Sequence, residues 1–176
     1  MAKTEVPYTA YFDRYCRTLG SGGSLLVSVD ADGRPNAMAI GWALLGVVWR
    51  RPICAVFVRP SRYTHGCIEA TGDFTVNVPP PELAAQVLFC GTESGRDRDK
   101  FAEAGLTATP GRRVKSPSIE ECWITHECVV VQKTDVVPEH FPAEIIDMLY
   151  AGGDFHRVYF GQIVASYADV AALERA

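Results

Sequence analysis

The stretch SLLVSVDADGRPNAMAIGW, residues 24–42, decides the fold. Ser24 to Val29 is a short β-forming run, Asp32-Gly33 is a hairpin turn signal, and Pro35 to Trp42 resumes an extended apolar run. Within the second arm, Asn36, Met38, Ile40 and Trp42 share one strand face, and the small residues Ala37, Ala39 and Gly41 share the other. Outward from this hairpin the same texture recurs. Ile53 to Val58 and Phe74 to Val78 read as strands closed by Pro60 and Pro79, and Trp123 to Lys133 and Val158 to Ser166 return to strand character. Helical patterns are fewer: PYTAYFDRYCRTLG (residues 7–20) up to Gly20, Pro81 to Phe89, Asp97 to Ala104 before Gly105, and Ala143 to Tyr150.

Many short strands with few helices predict a mainly β domain, a small barrel with peripheral helices. A doubly wound parallel sheet is the rival, but it needs strands alternating regularly with helices, and these do not. The 176 residues fit one domain, with residues 1–19 as an N-terminal helix and 20–167 as a barrel with inserted helices. A chain of this size buries roughly 70% of its unfolded surface without metals or disulfides.

Charge narrows the function classes. Seventeen basic against 21 acidic side chains give a net charge of -4, without the clustered Lys and Arg that a nucleic-acid backbone or an anionic membrane calls for. The longest apolar run, Ala37 to Trp49, is too short to span a bilayer, and the opening MAKTEVPYTAY lacks the apolar core of an export signal. The expectation is a cytoplasmic protein whose six cysteines, with no Cys-x-x-Cys, are reduced thiols.

Several stretches could carry chemistry. The glycine-rich GSGGS (residues 20–24) follows a helix and opens a strand, the reverse of a phosphate cradle, so it reads as a helix stop and turn. RPSRYTH (residues 59–65) packs Arg59, Ser61, Arg62 and Thr64 into six residues, two guanidiniums and two hydroxyls suited to a phosphate. A solvated turn in which Ser61 or Thr64 caps the next segment is an equal reading. On residues 36–42, a flat ring against exposed main chain competes with an ordinary buried barrel strand. Lys100 is a lone cation in CGTESGRDRDKF, residues 90–101. Cys122, His126 and Cys128 share a strand parity but lack a fourth ligand, so no metal site is expected. Neither G-x-S-x-G nor H-E-x-x-H occurs, which leaves hydrolase readings unsupported.

Taken in order, DADGRPNAMAIGW (30–42), RPSRYTH (59–65), FTVNVP (74–79), CGTESGRDRDKFAEAGL (90–106) and HECVVV (126–131) resemble the flavin reductase-like family of FMN-binding split barrels. The likeness spans roughly residues 20–165 and lies in the order of the five blocks. It implies a Greek-key split barrel, a homodimer with flavin near the subunit interface, and hydride transfer from NADH or NADPH to FMN. The alternative it implies is an electron carrier of flavoredoxin type, reduced by a redox partner protein. By this resemblance Asn36, Met38, Ala39, Ile40, Gly41 and Trp42 line the flavin ring, and Arg59, Ser61, Arg62, Tyr63 and Thr64 hold the phosphate and ribityl chain. Lys100 approaches the flavin, while Asn77 and Cys128 are structural. Where many members carry G-D-H, this chain reads GGDFHRVYFGQIV (152–164), with Phe155 inserted; His156 and His140 are the histidine candidates for the flavin.

Overall fold

A computed structural model describes residues 3–175. In chain order the elements are β1 (Thr4–Glu5), α1 (Phe12–Gly20), β2 (Ser24–Val29), β3 (Pro35–Ile40), β4 (Ala43–Val48), β5 (Arg51–Val58), α2 (Tyr63–Thr71) and β6 (Asp73–Val78). Next come α3 (Ala84–Thr92), α4 (Lys100–Ala104), β7 (Ala108–Thr109), β8 (Ser118–Ile119), β9 (Ile124–Asp135), α5 (Ala143–Leu149), β10 (Arg157–Ala168) and α6 (Val170–Arg175). Among the described residues no helix is long and apolar enough to cross a membrane.

One antiparallel sheet runs in the order β3-β2-β6-β9-β10-β5-β4, with β1 added beside β10. Its two ends explain its shape. β3 and β4 lie at opposite ends of the strand order, yet only Gly41 and Trp42 separate them in the chain. The sheet must therefore curl until its two edges nearly meet, and no β3–β4 pairing closes the gap among the described residues. The result is a barrel, as the strand pattern predicts, with the split that the family resemblance implies.

β2 is buried along its whole length, because both of its faces are covered. Leu26 points into the barrel with Val56, Phe74, Val76, Ile124 and Tyr159, while Leu25 and Val27 point outward under α3 and α4 with Val87, Cys90 and Phe101. Tyr15 of α1 and Ile68 of α2 belong to the barrel core. Gly161 of β10 sits where the interior is tightest, since a Cβ there would lie 2.5 Å from Phe74 Cζ and 2.7 Å from Cys128 Cβ. Two buried carboxylates pin the loop before β8: Glu127 accepts from the N–H groups of Arg112 (2.8 Å) and Arg113 (2.7 Å). Asp73 accepts from Ser116 N–H (3.0 Å) and Oγ (2.5 Å). Each such bond to a charged acceptor is worth about 1.5–3 kcal/mol.

Several boundaries differ from expectation. The first helix begins at Phe12, not Pro7, because Tyr11 is left-handed at φ 60° and turns the chain into it. The apolar run after Gly41 contains a separate strand, β4, and RPSRYTH leads into a helix, α2, that weak amphipathicity hides. α4 starts at Lys100, where Asp99 caps it by accepting from Ala102 N–H at 3.0 Å. Cys122 packs in the outer cluster and Cys128 in the barrel core, while His126 Nδ1 shares a 2.8 Å hydrogen bond with Ser166 Oγ.

Candidate functional site

The split opens into a cavity of about 390 Å³. It is lined by the end of β3 (Asn36, Met38, Ala39, Ile40), the Gly41-Trp42 link, the Arg59–Thr64 segment, the Cys90–Arg96 loop, Lys100 and His156. A cleft of this size suits an organic cofactor. Of the candidate residues named from sequence, only His140 is elsewhere: it lies exposed in the turn at Pro138–His140, before α5.

One wall is a sheet edge. β3 pairs with β2 alone, so alternate main-chain groups face the cavity side. Lys100 reveals which ones: its Nζ donates to Ala37 O at 2.9 Å and to Cys90 O at 2.8 Å. Ala37 thus points away from β2, and Ala39, two residues on, points the same way. The small side chains themselves serve another purpose. Ala37 and Ala39 pack beneath α3, where Gly91 comes close enough that a Cβ on it would lie 3.2 Å from Ala39 Cβ. It is the backbone of this strand, rather than its small-residue face, that is offered to a ligand. Lys100 is buried, and desolvation lowers its pKa.

The opposite end is a helix N-terminus. The segment after β5 passes Pro60 and enters α2 at Tyr63, with Arg62 at the cap position and no side chain capping the helix. The first N–H groups of such a helix lack intrahelical acceptors and favour an anion. The strand, loop and helix order missing at the glycine-rich turn is therefore present here. Around this terminus Thr64 is buried and its Oγ1 accepts from Asn36 Nδ2 at 2.7 Å, which leaves the hydroxyl proton to donate elsewhere. Tyr63 donates its hydroxyl to Asp30 at 3.0 Å. Arg96, which sequence reading passed over, donates to Ser61 O at 2.9 Å and stands 5.6 Å from the Tyr63 ring. Arg59, Arg62, Arg96 and Lys100 outnumber the acids at this wall, where Glu93 is already paired with Arg98 at 3.3 Å.

The third side is the segment between α5 and β10. Arg59 donates to the carbonyls of Leu149 (2.8 Å), Asp154 (3.3 Å) and Gly153 (3.5 Å), and its guanidinium lies over the Tyr150 ring at 5.2 Å. Phe155, the inserted residue, stacks on Tyr150 at 4.7 Å. Tyr150 OH shares a 2.7 Å hydrogen bond with His156 Nδ1, and the His156 ring lies 4.7 Å from Trp42. Desolvation, with smaller contributions from Arg59 and Arg62, lowers the His156 pKa to about 4, so the ring is neutral near pH 7. Phe57, also absent from the sequence candidates, completes the wall beneath it.

An antiparallel split barrel, with an exposed strand edge facing a basic helix terminus across its gap, is the architecture of the FMN-binding split-barrel class. The chain belongs to the flavin reductase-like family, matching the flavin reductase like domain over residues 17–174. Flavoredoxin of Desulfovibrio vulgaris (Miyazaki F) superposes with a TM-score of 0.68 at 27% identity, covering 84% of this chain and 69% of that one. Flavoredoxin from Methanosarcina acetivorans gives 0.66 at 29% identity over 83% and 67%. Nitrilotriacetate monooxygenase component B from Bacillus cereus shares the fold at a TM-score of 0.68 and 16% identity, covering 97% of this chain and 84% of that one. An uncharacterized protein of Archaeoglobus fulgidus is 36% identical over 102 residues, which span 58% of this chain and 57% of that relative.

Proposed function

We propose that this chain is an FMN-binding oxidoreductase that passes hydride from NADH or NADPH to flavin. The observation that carries the reading is that one cavity joins the edge main chain of β3 to the N-terminus of α2. The donor set fits the cofactor: free helix N–H groups, Ser61, Thr64 and Arg62 suit a phosphate, and the Ala39 main chain suits the polar rim of a flat ring. Bound FMN supplies a ring nitrogen that accepts hydride from a reduced nicotinamide. The residues of this chain position and shield. Lys100, held on two carbonyls, fixes a positive charge behind β3. Trp42 and the neutral His156 pack against each other as one aromatic wall of the cavity. Such a site needs no general acid or base, consistent with the lack of a triad.

A carrier role without nicotinamide turnover is the second reading, favoured by the 27% and 29% identities to two flavoredoxins. For either role we place a second copy of the chain on the outer face of β4, β5 and β10. Leu44, Ala55 and Phe160 form one row across these strands, Trp49 packs at 5.6 Å on Phe160, and Phe57 carries the same apolar surface to the cavity. Leu44 and Trp49 are 65% and 56% exposed, an unusual cost for a face that nothing covers.

The purified protein, supplied with FMN, should show a flavin absorption band that NADH or NADPH bleaches anaerobically. Bleaching by dithionite but by neither nucleotide selects the carrier. A colourless protein that fails to take up FMN sinks both readings.

A further inference from the structure

Asp154 stands in an unusual place for an acid. Its carboxylate takes both donors of Ser61, the hydroxyl at 2.6 Å through Oδ2 and the N–H at 3.2 Å through Oδ1. Two donors on two oxygens is how this segment would hold a phosphate edge, and the acceptor here comes from a residue 93 positions away. The contact is not incidental. Asp154 adopts a left-handed backbone at φ 57°, a conformation uncommon outside glycine, asparagine and aspartate, and Arg59 donates to the carbonyls of Gly153 and Asp154. The chain is thus fixed so that an anion sits on Ser61, two residues before α2 begins at Tyr63.

We propose that Asp154 is a specificity-determining residue, which makes the phosphate end of the flavin compete with an internal carboxylate for Ser61. The proposal rests on the reading of this cavity as an FMN site. A phosphate dianion that engages Ser61 must displace a carboxylate already bound there, or stand beside it at a cost in like-charge repulsion. A flavin without the phosphate, such as riboflavin, meets no such rival. Asp154 therefore sets the affinity ratio between phosphorylated and unphosphorylated flavins and eases release of FMN. This would be useful to a protein that delivers reduced FMN rather than keeping it.

The test compares FMN and riboflavin affinities, read by flavin fluorescence, in the wild type, D154N, S61A and the double variant. Asn tolerates the left-handed backbone and nearly preserves shape, so D154N removes the charge and one of the two acceptor oxygens that hold Ser61. FMN should bind D154N about tenfold tighter, the effect of about 1.4 kcal/mol, with riboflavin changed less than twofold. In the S61A background the gain from D154N should shrink, because the contested hydroxyl is gone. Equal weakening of both flavins in D154N would make the aspartate a structural latch and overturn the proposal, as would unchanged FMN affinity. The same ratio of FMN to riboflavin affinity in the wild type and in D154N would also overturn it while leaving the flavin site in place. Binding of neither flavin by any form would instead fail the functional reading itself.

Discussion

The Nζ of Lys100 lies 2.9 Å from the carbonyl oxygen of Ala37, so the side chain that opens α4 holds the edge strand β3 from outside the sheet. A second bond of 2.8 Å to Cys90 O ties the end of α3 to the same ammonium. One buried cation thereby fixes two of the cavity walls relative to each other. Lys100→Met keeps the aliphatic stem and removes both donors, leaving two carbonyls unpaired. The expected loss is about 2–4 kcal/mol of stability, read from the urea midpoint, together with weaker FMN binding. A midpoint within error of wild type would mean that the ammonium does not clip the walls.

Arg59 and Arg62 should separate. Arg62 is exposed at the cavity rim beside the first turn of α2, whereas Arg59 is committed to three carbonyls of the segment before β10. Arg62→Ala should weaken FMN about tenfold with little effect on riboflavin, the loss of one charge-assisted phosphate contact. Arg59→Ala should weaken both flavins and, in addition, speed proteolytic cleavage within residues 149–156. The double variant should lose FMN severely; unchanged affinity would mean that the phosphate lies elsewhere.

The contrast between these arginines shows what the sequence could and could not disclose. Residues 24–42 announce their hairpin because alternation and a turn dipeptide are local, and the two arms do pair, with Val27 opposite Ala37 and Ser24 opposite Ile40. The boundary between β3 and β4 is invisible in the same apolar texture, since Gly41-Trp42 is neither charged nor a turn signal. α2 escapes notice because its sequence, YTHGCIEAT, mixes β-branched residues and a glycine, with only Thr64, Cys67 and Ile68 buried. The Arg59–Leu149 and Ser61–Asp154 bonds join residues 90 and 93 positions apart, and no periodicity encodes that. Composition, by contrast, conceals the charge of the site. A chain with a net charge of -4 gathers Arg59, Arg62, Arg96 and Lys100 around one cavity.

Gly95 offers a test that bears on the site more than on the core. A Cβ at this position would lie 1.9 Å from Asn36 Oδ1 and 2.8 Å from Tyr63 Cδ1. Gly95→Ala must therefore lift the Cys90–Arg96 loop or push Asn36 off Thr64, whose hydroxyl oxygen it holds at 2.7 Å. FMN affinity should fall about tenfold or more, while stability read from the urea midpoint falls by about 1–3 kcal/mol, the usual cost of overpacking. A variant that binds FMN normally would show that the loop is free to move and does not shape the cavity.

Acid should destabilise the fold through His126. This ring is 1% exposed, lies edge-on to Tyr15 at 5.7 Å, and is lowered by burial from the ordinary 6.5 to about 4. The unfolded chain consequently takes up a proton first as pH falls. Stability from this group is complete above about pH 6.5, declines as pH drops toward 4, and changes no further below that, a total of about 3 kcal/mol. His156 is lowered to about 4 as well and acts in the same direction, though its ring borders the cavity and should contribute less. Urea midpoints measured from pH 7.5 to 4.5 should fall with decreasing pH, more steeply than one titrating group alone allows. His126→Gln, less stable at neutral pH because the Ser166 bond and the packing on Tyr15 are disturbed, should show a shallower decline. An identical pH slope in the variant would place the acid sensitivity elsewhere, most directly at His156.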